Sequence, residues 1–484
     1  QNVLVRNGQV LVRPGQVRLT STGPSTNSVM GGIYYQDHLQ AERVIVGTTI
    51  AFWLYQGGSW SDITGATVLT GGLDQQVRLA AFPLSNVTRV IAVNDKDAVQ
   101  VYNGTGTFSN LAGSPPVAKD VTVAFQRVIL GNVTVGGARR ASSLWISEFK
   151  DPTIWDSANE VSLPEEKGGI VAVQQLNPQL FAIYKDQSQW VGIGTGGLFP
   201  FVFELRDHQP GPCSPACVVQ AENYHYYLGQ DGDIYRFDGN RCIAVGGVVK
   251  RLVQTFLFWT NKGRAHGAYD VLNREIWWFW ESGAPGNPTV GISYRLPAED
   301  LPGAFSGLMI YGVNLSASFG WLISANLTWD ALTGTWDTLP YPTWDSMMLQ
   351  GRPGILTGGR SGPVFLFGLG NGDDGFGYDA EWDFPLRPYA GIGENIRVDV
   401  IESFFRQTPT SVNTEIFLLL SDTLTDPGTV VAPQSVLLDS PNKLRALYYD
   451  QQARFVQVRH RILNTLGSQQ YRGGVLYTYK RGEG

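Results

Sequence analysis

Apolar residues in this chain come in short runs broken by glycine, proline and polar turns, and helical three-and-four spacing is rare. Arg43-Val44-Ile45-Val46-Gly47 and Arg89-Val90-Ile91-Ala92-Val93 are two such runs. Leu180-Phe181-Ala182-Ile183-Tyr184, Tyr224-His225-Tyr226-Tyr227-Leu228-Gly229 and Arg274-Glu275-Ile276-Trp277-Trp278-Phe279-Trp280 are others. Runs of this length, rich in β-branched and aromatic residues and bounded by turn residues, predict strands. One segment differs. Val249, Leu252, Val253, Phe256 and Leu257 fall at i, i+3, i+4, i+7 and i+8, which predicts a single amphipathic helix covering an edge of the β-structure.

The strands recur as a unit. Residues 55–65 align with residues 102–113 across one inserted residue, matching Tyr55 with Tyr102, Trp60 with Phe108, Ser61 with Ser109 and Gly65 with Gly113. The period, about 46 residues, is that of a four-stranded propeller blade. Looser copies continue to Val364-Phe365-Leu366-Phe367-Gly368. The pattern therefore predicts an all-β chain with a β-propeller of six to eight blades over residues 1–370. An acidic, Gly-rich stretch at 371–383 interrupts it and reads as a linker. The strand runs beyond, at 384–484, predict a smaller C-terminal β-sandwich-like domain.

Composition agrees with this class. The 484 residues include 57 Gly and 14 Trp, with 16% charged and 12% aromatic residues. Disorder needs the opposite balance, and helix-rich proteins favour Ala, Glu, Lys and Leu. A net charge of -6 offers no strong grip on nucleic acid. Cys213, Cys217 and Cys242 have no companion residues for a zinc set and read as free thiols in a reducing compartment. The sequence contains no membrane-spanning run and no signal-peptide pattern.

Candidate chemistry is sparse. Phosphate-loop, HExxH and GxSxG motifs are missing from the sequence, and none of its five His is paired at ligand spacing. We therefore expect no catalytic, cofactor or metal site and no enzyme. Asp373, Asp374, Asp379, Glu381 and Asp383 supply oxygens of the kind Ca²⁺ uses, but without a fixed ligand spacing, and read as a solvated loop. Arg459 and Arg461 lie on one face of a strand. With Arg454, Arg472, Lys480 and Arg481 they form a candidate basic surface for an acidic partner, or else a solvated strand face. Thr328-Trp329-Asp330, Thr335-Trp336-Asp337 and Thr343-Trp344-Asp345 repeat at steps of seven and eight within the Trp-rich segment 328–345. Trp329, Trp336 and Trp344 are either core packing or a subunit-interface strip.

Several blocks together resemble the tail hub or nozzle proteins of short-tailed bacteriophages. They are Val10-Leu11-Val12-Arg13-Pro14-Gly15, Val44-Ile45-Val46-Gly47-Thr48, Asp151-Pro152-Thr153-Ile154-Trp155-Asp156, Cys213-Ser214-Pro215, residues 228–239 and the Thr-Trp-Asp tandem. The resemblance implies a β-propeller virion subunit assembled in the host bacterial cytoplasm. It would form a ring, a hexamer, that continues the DNA-ejection channel below the portal and adaptor. Its partners would be further copies of itself, the adaptor or portal-side tail protein, a tail fibre or tailspike, and DNA passing without sequence-specific binding. The channel face would be acidic or neutral, since basic linings hold phosphate. The alternative is a carbohydrate-binding receptor protein or glycan hydrolase on a propeller scaffold.

Overall fold

The computed structural model describes residues 2–6, 9–164, 168–195, 201–283, 288–298, 302–323, 352–369, 372–375, 377–383, 396–406, 412–421, 429–438, 444–453, 455–465 and 470–480. It is almost entirely β, and it forms two compact units.

The larger unit, Arg18–Gly303 with Val313–Phe367, is a seven-bladed propeller. Its inner strands are Val29–Gln36, Arg78–Pro83, Val117–Ala124, Ile170–Asn177, Val218–Ala221, His266–Asp270 and Leu315–Ile323. Their first residues lie 39 to 53 apart, which brackets the period read from the sequence. Each inner strand starts an antiparallel meander running outward. The ring closes where Leu315–Ile323 packs on Val29–Gln36. At that seam Val29, Val44, Val46, Ala317, Phe319, Leu356 and Val364 form one core cluster. The outermost strand of the last blade comes from the start of the chain, and the Leu19 amide donates to the Val364 carbonyl at 2.8 Å.

Burial follows position within the blade. The second strand of the sixth blade, Glu275–Glu281, is buried at every residue because neighbouring blades cover both of its faces. The outer strand Ser59–Asp62 is mostly exposed. The repeat signature also has a physical cause. Gly65 and Gly113 adopt φ of +77° and +82°, a region that disfavours side chains. A Cβ at Gly65 would lie 2.1 Å from the Phe108 carbonyl oxygen, and one at Gly113 would lie 1.9 Å from that of Thr153. Each glycine thus lets the end of one blade press against the backbone of the next.

The expected helix forms at Lys250–Phe256. Val249, Val253 and Leu257 are its buried positions, and the Trp280 indole donates to the Phe256 carbonyl at 3.2 Å.

The smaller unit comprises Gln1–Val17, Ala304–Gly312 and Gly368–Gly484. One of its sheets joins Val3–Arg6, Gln9–Val12, Gln470–Lys480, Ile396–Arg406 and Leu444–Ala453, and the other joins Tyr378–Asp383, Phe455–Thr465, Val412–Ser421 and Thr429–Leu438. Residues 1–17 and 304–312 therefore depart from the 1–370 boundary. The stretch at 371–383 is likewise more than a linker, because it contributes a strand. The first strands join this unit by pairing with the last, Val10 opposite Tyr471 and Leu11 opposite Gln470. Such a pairing leaves no mark on local apolar periodicity.

Within this unit Arg13 is fully buried and joins all three segments. Its Nη1 donates to Asp373 Oδ1 at 2.9 Å, its Nη2 to the Ile310 carbonyl at 2.9 Å, and its Nε to Asn2 Oδ1 at 2.9 Å. The guanidinium lies 4.3 Å from the Tyr311 ring centroid and 3.7 Å from that of Tyr378. Gly15 supports the arrangement, since a Cβ there would lie 2.2 Å from the Gly372 carbonyl oxygen.

Candidate functional site

The seven inner strands surround an axial pocket of about 370 Å³. Its wall is made largely of small residues, among them Gly31, Gly32, Ala216, Gly267, Ser316 and Gly320, which leave the backbone of the ring close to the cavity. Among the described residues, one end of the pocket is closed. Gln76, on the connection into the second blade, reaches across the axis. Its Nε2 donates to the Ala265 carbonyl at 3.1 Å, and its Oε1 accepts from the Ala216 amide at 3.4 Å. Those two residues precede the inner strands of the sixth and fifth blades, so the side chain spans the starting end of the ring. Asp74, on the same connection, pairs with Arg264 at 2.7 Å.

Behind this floor the buried Glu281 carboxylate accepts from Arg264 at 2.9 Å and Asn261 at 2.9 Å, and pairs with Arg360 at 2.9 Å. Burial opposes its ionisation, but the hydrogen bond and charge of Arg360, with help from Asn261 and Arg264, hold its pKa below the usual carboxylate range.

Among the described residues, Arg78 is the only charged one in the pocket lining. Its Nε donates to Asp120 Oδ1 at 2.9 Å, and the other oxygen of Asp120 accepts from the Val173 amide at 2.8 Å. One carboxylate thus links the inner strands of the second, third and fourth blades and sets the guanidinium near the strand carrying Gln174. Gln174 Oε1 is buried and, among the described residues, has no hydrogen-bond partner.

Ser318 also lines the pocket, and its hydroxyl lies 2.8 Å from His266 Nδ1. The spacing suits a nucleophile and base, yet burial, aided by the Arg360 charge, pushes the His266 pKa down to about 3. No carboxylate hydrogen-bonds its ring among the described residues, as a catalytic base would require. The contact links the sixth and seventh blades. His225 does similar work between the fourth and fifth. The Gln175 carbonyl can only accept, so Nε2–H donates to it at 3.1 Å, and Nδ1 accepts from the Tyr184 hydroxyl at 2.7 Å. Burial lowers its pKa to about 4.

The described residues singled out in the sequence do not line this pocket. Trp329, Trp336 and Trp344 lie outside the described residues. Arg459 and Arg461 do share a strand face, and each meets an acid on the paired strand, Glu381 at 3.5 Å and Asp379 at 2.8 Å. Their charge is therefore offset by residues that the sequence placed in a separate loop. Asp373 is also buried against Arg13 rather than solvated. No cluster suited to a metal ion occurs among the described residues. Cys213, Cys217 and Cys242 are free and buried. Burial raises the pKa of all three thiols, which keeps them protonated and inert.

The pocket itself was missed in the sequence. Gln76, Arg78, Asp120 and Gln174 come from connections and strands of different blades. The one usable signal was small residues at inner-strand positions.

No family model matches the sequence, and no curated protein matches it. Among solved structures, the chain is similar to YCF48 bound to D1 peptide, at 10% identity and a TM-score of 0.37 over 75% of this chain and 96% of that one. A mutant Aleuria aurantia lectin in complex with a fucosylated N-acetylglucosamine gives 11% identity and a TM-score of 0.29 over 58% and 96%. A glycoside hydrolase family 43 arabinoxylan arabinofuranohydrolase from Bacillus subtilis gives 9% and 0.30 over 96% and 99%. At such TM-scores none of the three bears on what this chain does.

Proposed function

We propose that the protein is a non-enzymatic structural subunit of the tail hub or nozzle kind, a ring-forming component of a short-tailed phage virion. The observation that carries this reading is the fate of the polar residues in the blocks that suggested it: they hold the scaffold together. Arg13 joins the three segments of the smaller unit. Asp151 Oδ1 accepts from the Thr153 amide at 2.9 Å, and the Trp155 indole donates to the Pro152 carbonyl at 2.8 Å. Ser214 caps the turn at Pro215–Cys217, and its hydroxyl donates to the Ala265 carbonyl. Asp231 pairs with Lys250 of the helix at 2.6 Å and accepts from the Tyr235 hydroxyl at 3.1 Å. A chain whose motif residues are occupied this way is suited to holding a shape.

The axial pocket supports a further detail. Among the described residues it is closed at one end and holds only a small molecule, so a DNA conduit has to lie between copies, outside the propeller axis. The glycan hydrolase reading lacks support there, because among the described residues the pocket lining contains no carboxylate and glycoside cleavage uses two. On the proposed reading the copies form a hexameric ring with an acidic or neutral channel face, seated on an adaptor and neighbouring a tail fibre or tailspike. Negative-stain imaging of the purified chain tests this. Closed rings are expected, and a population of single propellers at every concentration would overturn the reading.

A further inference from the structure

Several asparagines in this chain have their side-chain amide held in place. Asn94 Nδ2 donates to Asp97 Oδ2 at 2.6 Å and Asn132 Nδ2 to the Ile170 carbonyl at 2.6 Å. Asn261 Nδ2 donates to Glu281 Oε2 at 2.9 Å, and Asn273 Nδ2 to Asp270 Oδ2 at 2.7 Å. Asn103 differs: it is exposed, and among the described residues its side chain has no partner. Gly104 follows it, and among the described residues the Gly104 N–H likewise has no acceptor. Gly104 adopts φ +83°, and a Cβ there would come no closer than 3.7 Å to the Thr88 carbonyl oxygen and 3.8 Å to Val87 Cγ2. This corner of the second blade is therefore open. Asn7–Gly8 and Asn371–Gly372 repeat the pair in the sequence, but Asn7, Gly8 and Asn371 lie outside the described residues.

An asparagine followed by glycine loses its amide without an enzyme, because glycine has no side chain to obstruct its own nitrogen. The Gly104 nitrogen gives its proton to base and attacks Asn103 Cγ. The Cγ–Nδ2 bond breaks, ammonia leaves, and a cyclic succinimide remains. Water then opens the ring. Addition at Cγ restores the main chain and leaves an aspartate. Addition at the Asn103 backbone carbonyl frees that carboxylate and routes the main chain through Cβ and Cγ, as isoaspartate. Water is the co-reactant, and nothing is oxidised or reduced.

We infer that Asn103 is a site of spontaneous deamidation, an ageing site that adds a negative charge and lengthens the backbone of this connection. The position gives the change a structural consequence. The connection runs from Tyr102 to Phe108, both buried. The Phe108 amide donates to the Ile63 carbonyl at 2.7 Å, and its ring stacks on Phe52 at 3.9 Å. Phe52 and Ile63 belong to the first blade, so Phe108 latches the second blade to the first. An extra backbone atom between two close-packed anchors loosens that latch. The inference is independent of ring assembly.

Peptide mass spectrometry of the full chain, aged in mildly alkaline water enriched in heavy oxygen, reads the event directly. The peptide holding Asn103 is expected to lose its amide, take up labelled oxygen and separate into aspartate and isoaspartate forms. Asn86 is the internal control, because it is exposed and its side chain has no partner among the described residues, but Val87 follows it. A β-branched neighbour crowds the attacking nitrogen, so Asn86 is expected to stay intact. Asn103→Gln is expected to abolish labelling at this position and to leave the fold unchanged, since the side chain holds nothing. Gly104→Ala is expected to slow it, and so is ageing in mildly acidic buffer, because the nitrogen must first lose its proton. Aged wild type is expected to drop in melting temperature by more than aged Asn103→Gln. The inference is overturned if native Asn103 keeps its amide while a denatured sample loses it, or if Asn86 is lost as fast. It is also overturned if complete conversion at Asn103 leaves the melting temperature where Asn103→Gln has it.

Discussion

Single residues in this protein matter most where two backbones approach. Gly113 has a positive φ and faces the Thr153 carbonyl, whereas Gly320 has neither constraint. Gly113→Ala is accordingly expected to destabilise by at least about 2 kcal/mol, while Gly320→Ala is expected to stabilise by up to about 1 kcal/mol. Urea denaturation of the two variants checks the contrast, and equal effects would contradict it. The buried histidines make a second prediction at this scale. Folding lowers the pKa of His225 to about 4 and of His266 and His460 to about 3, against 6.5 for the free side chain. Between pH 6.5 and 4 the unfolded chain therefore binds the extra protons, and stability falls as pH falls, by about 1.4 kcal/mol per pH unit for each histidine once the unfolded side chain is mostly protonated. Thermal melts across this window are expected to show that slope, reduced by about one proton in His225→Asn.

At the scale of elements, the sequence disclosed strands and repeats better than their partners. The alignment of residues 55–65 with 102–113 carried real structural content, since Gly65 and Gly113 do the same work in successive blades. The helix was legible because Val249, Val253 and Leu257 keep helical spacing and are buried. The destination of residues 1–17 was not legible, because pairing of Leu11 with Gln470 joins positions that no local pattern relates. The axial pocket was hidden for the same reason, as Arg78, Asp120 and Gln174 belong to three different blades. The buried Arg13–Asp373 pair makes the N-terminal assignment testable. Asp373→Leu leaves a buried guanidinium uncompensated and is expected to cost about 3–5 kcal/mol, whereas pairing it with Arg13→Met restores most of the loss. Limited proteolysis is expected to cut within the first 17 residues of the single variant well before the double one. Equal cutting of the two would show that the pair does not hold that segment.

For the whole molecule, the described residues form a seven-bladed propeller whose axis is floored at one end by Gln76. Conduction of DNA, if the chain builds a tail hub, belongs between chains. Most of the chemistry in the described residues is structural, from the Glu281 network beneath Gln76 to the Arg13 junction. Among the described residues, no helix is long and apolar enough to cross a membrane. Native mass spectrometry of the purified full chain, with electron microscopy of the same sample, tests the central claim most directly. The account predicts a closed ring of six copies around an opening wide enough for a DNA duplex, with each propeller axis closed at its Gln76 end. A chain that stays monomeric at every concentration, or that stacks into open filaments without a central opening, would contradict it.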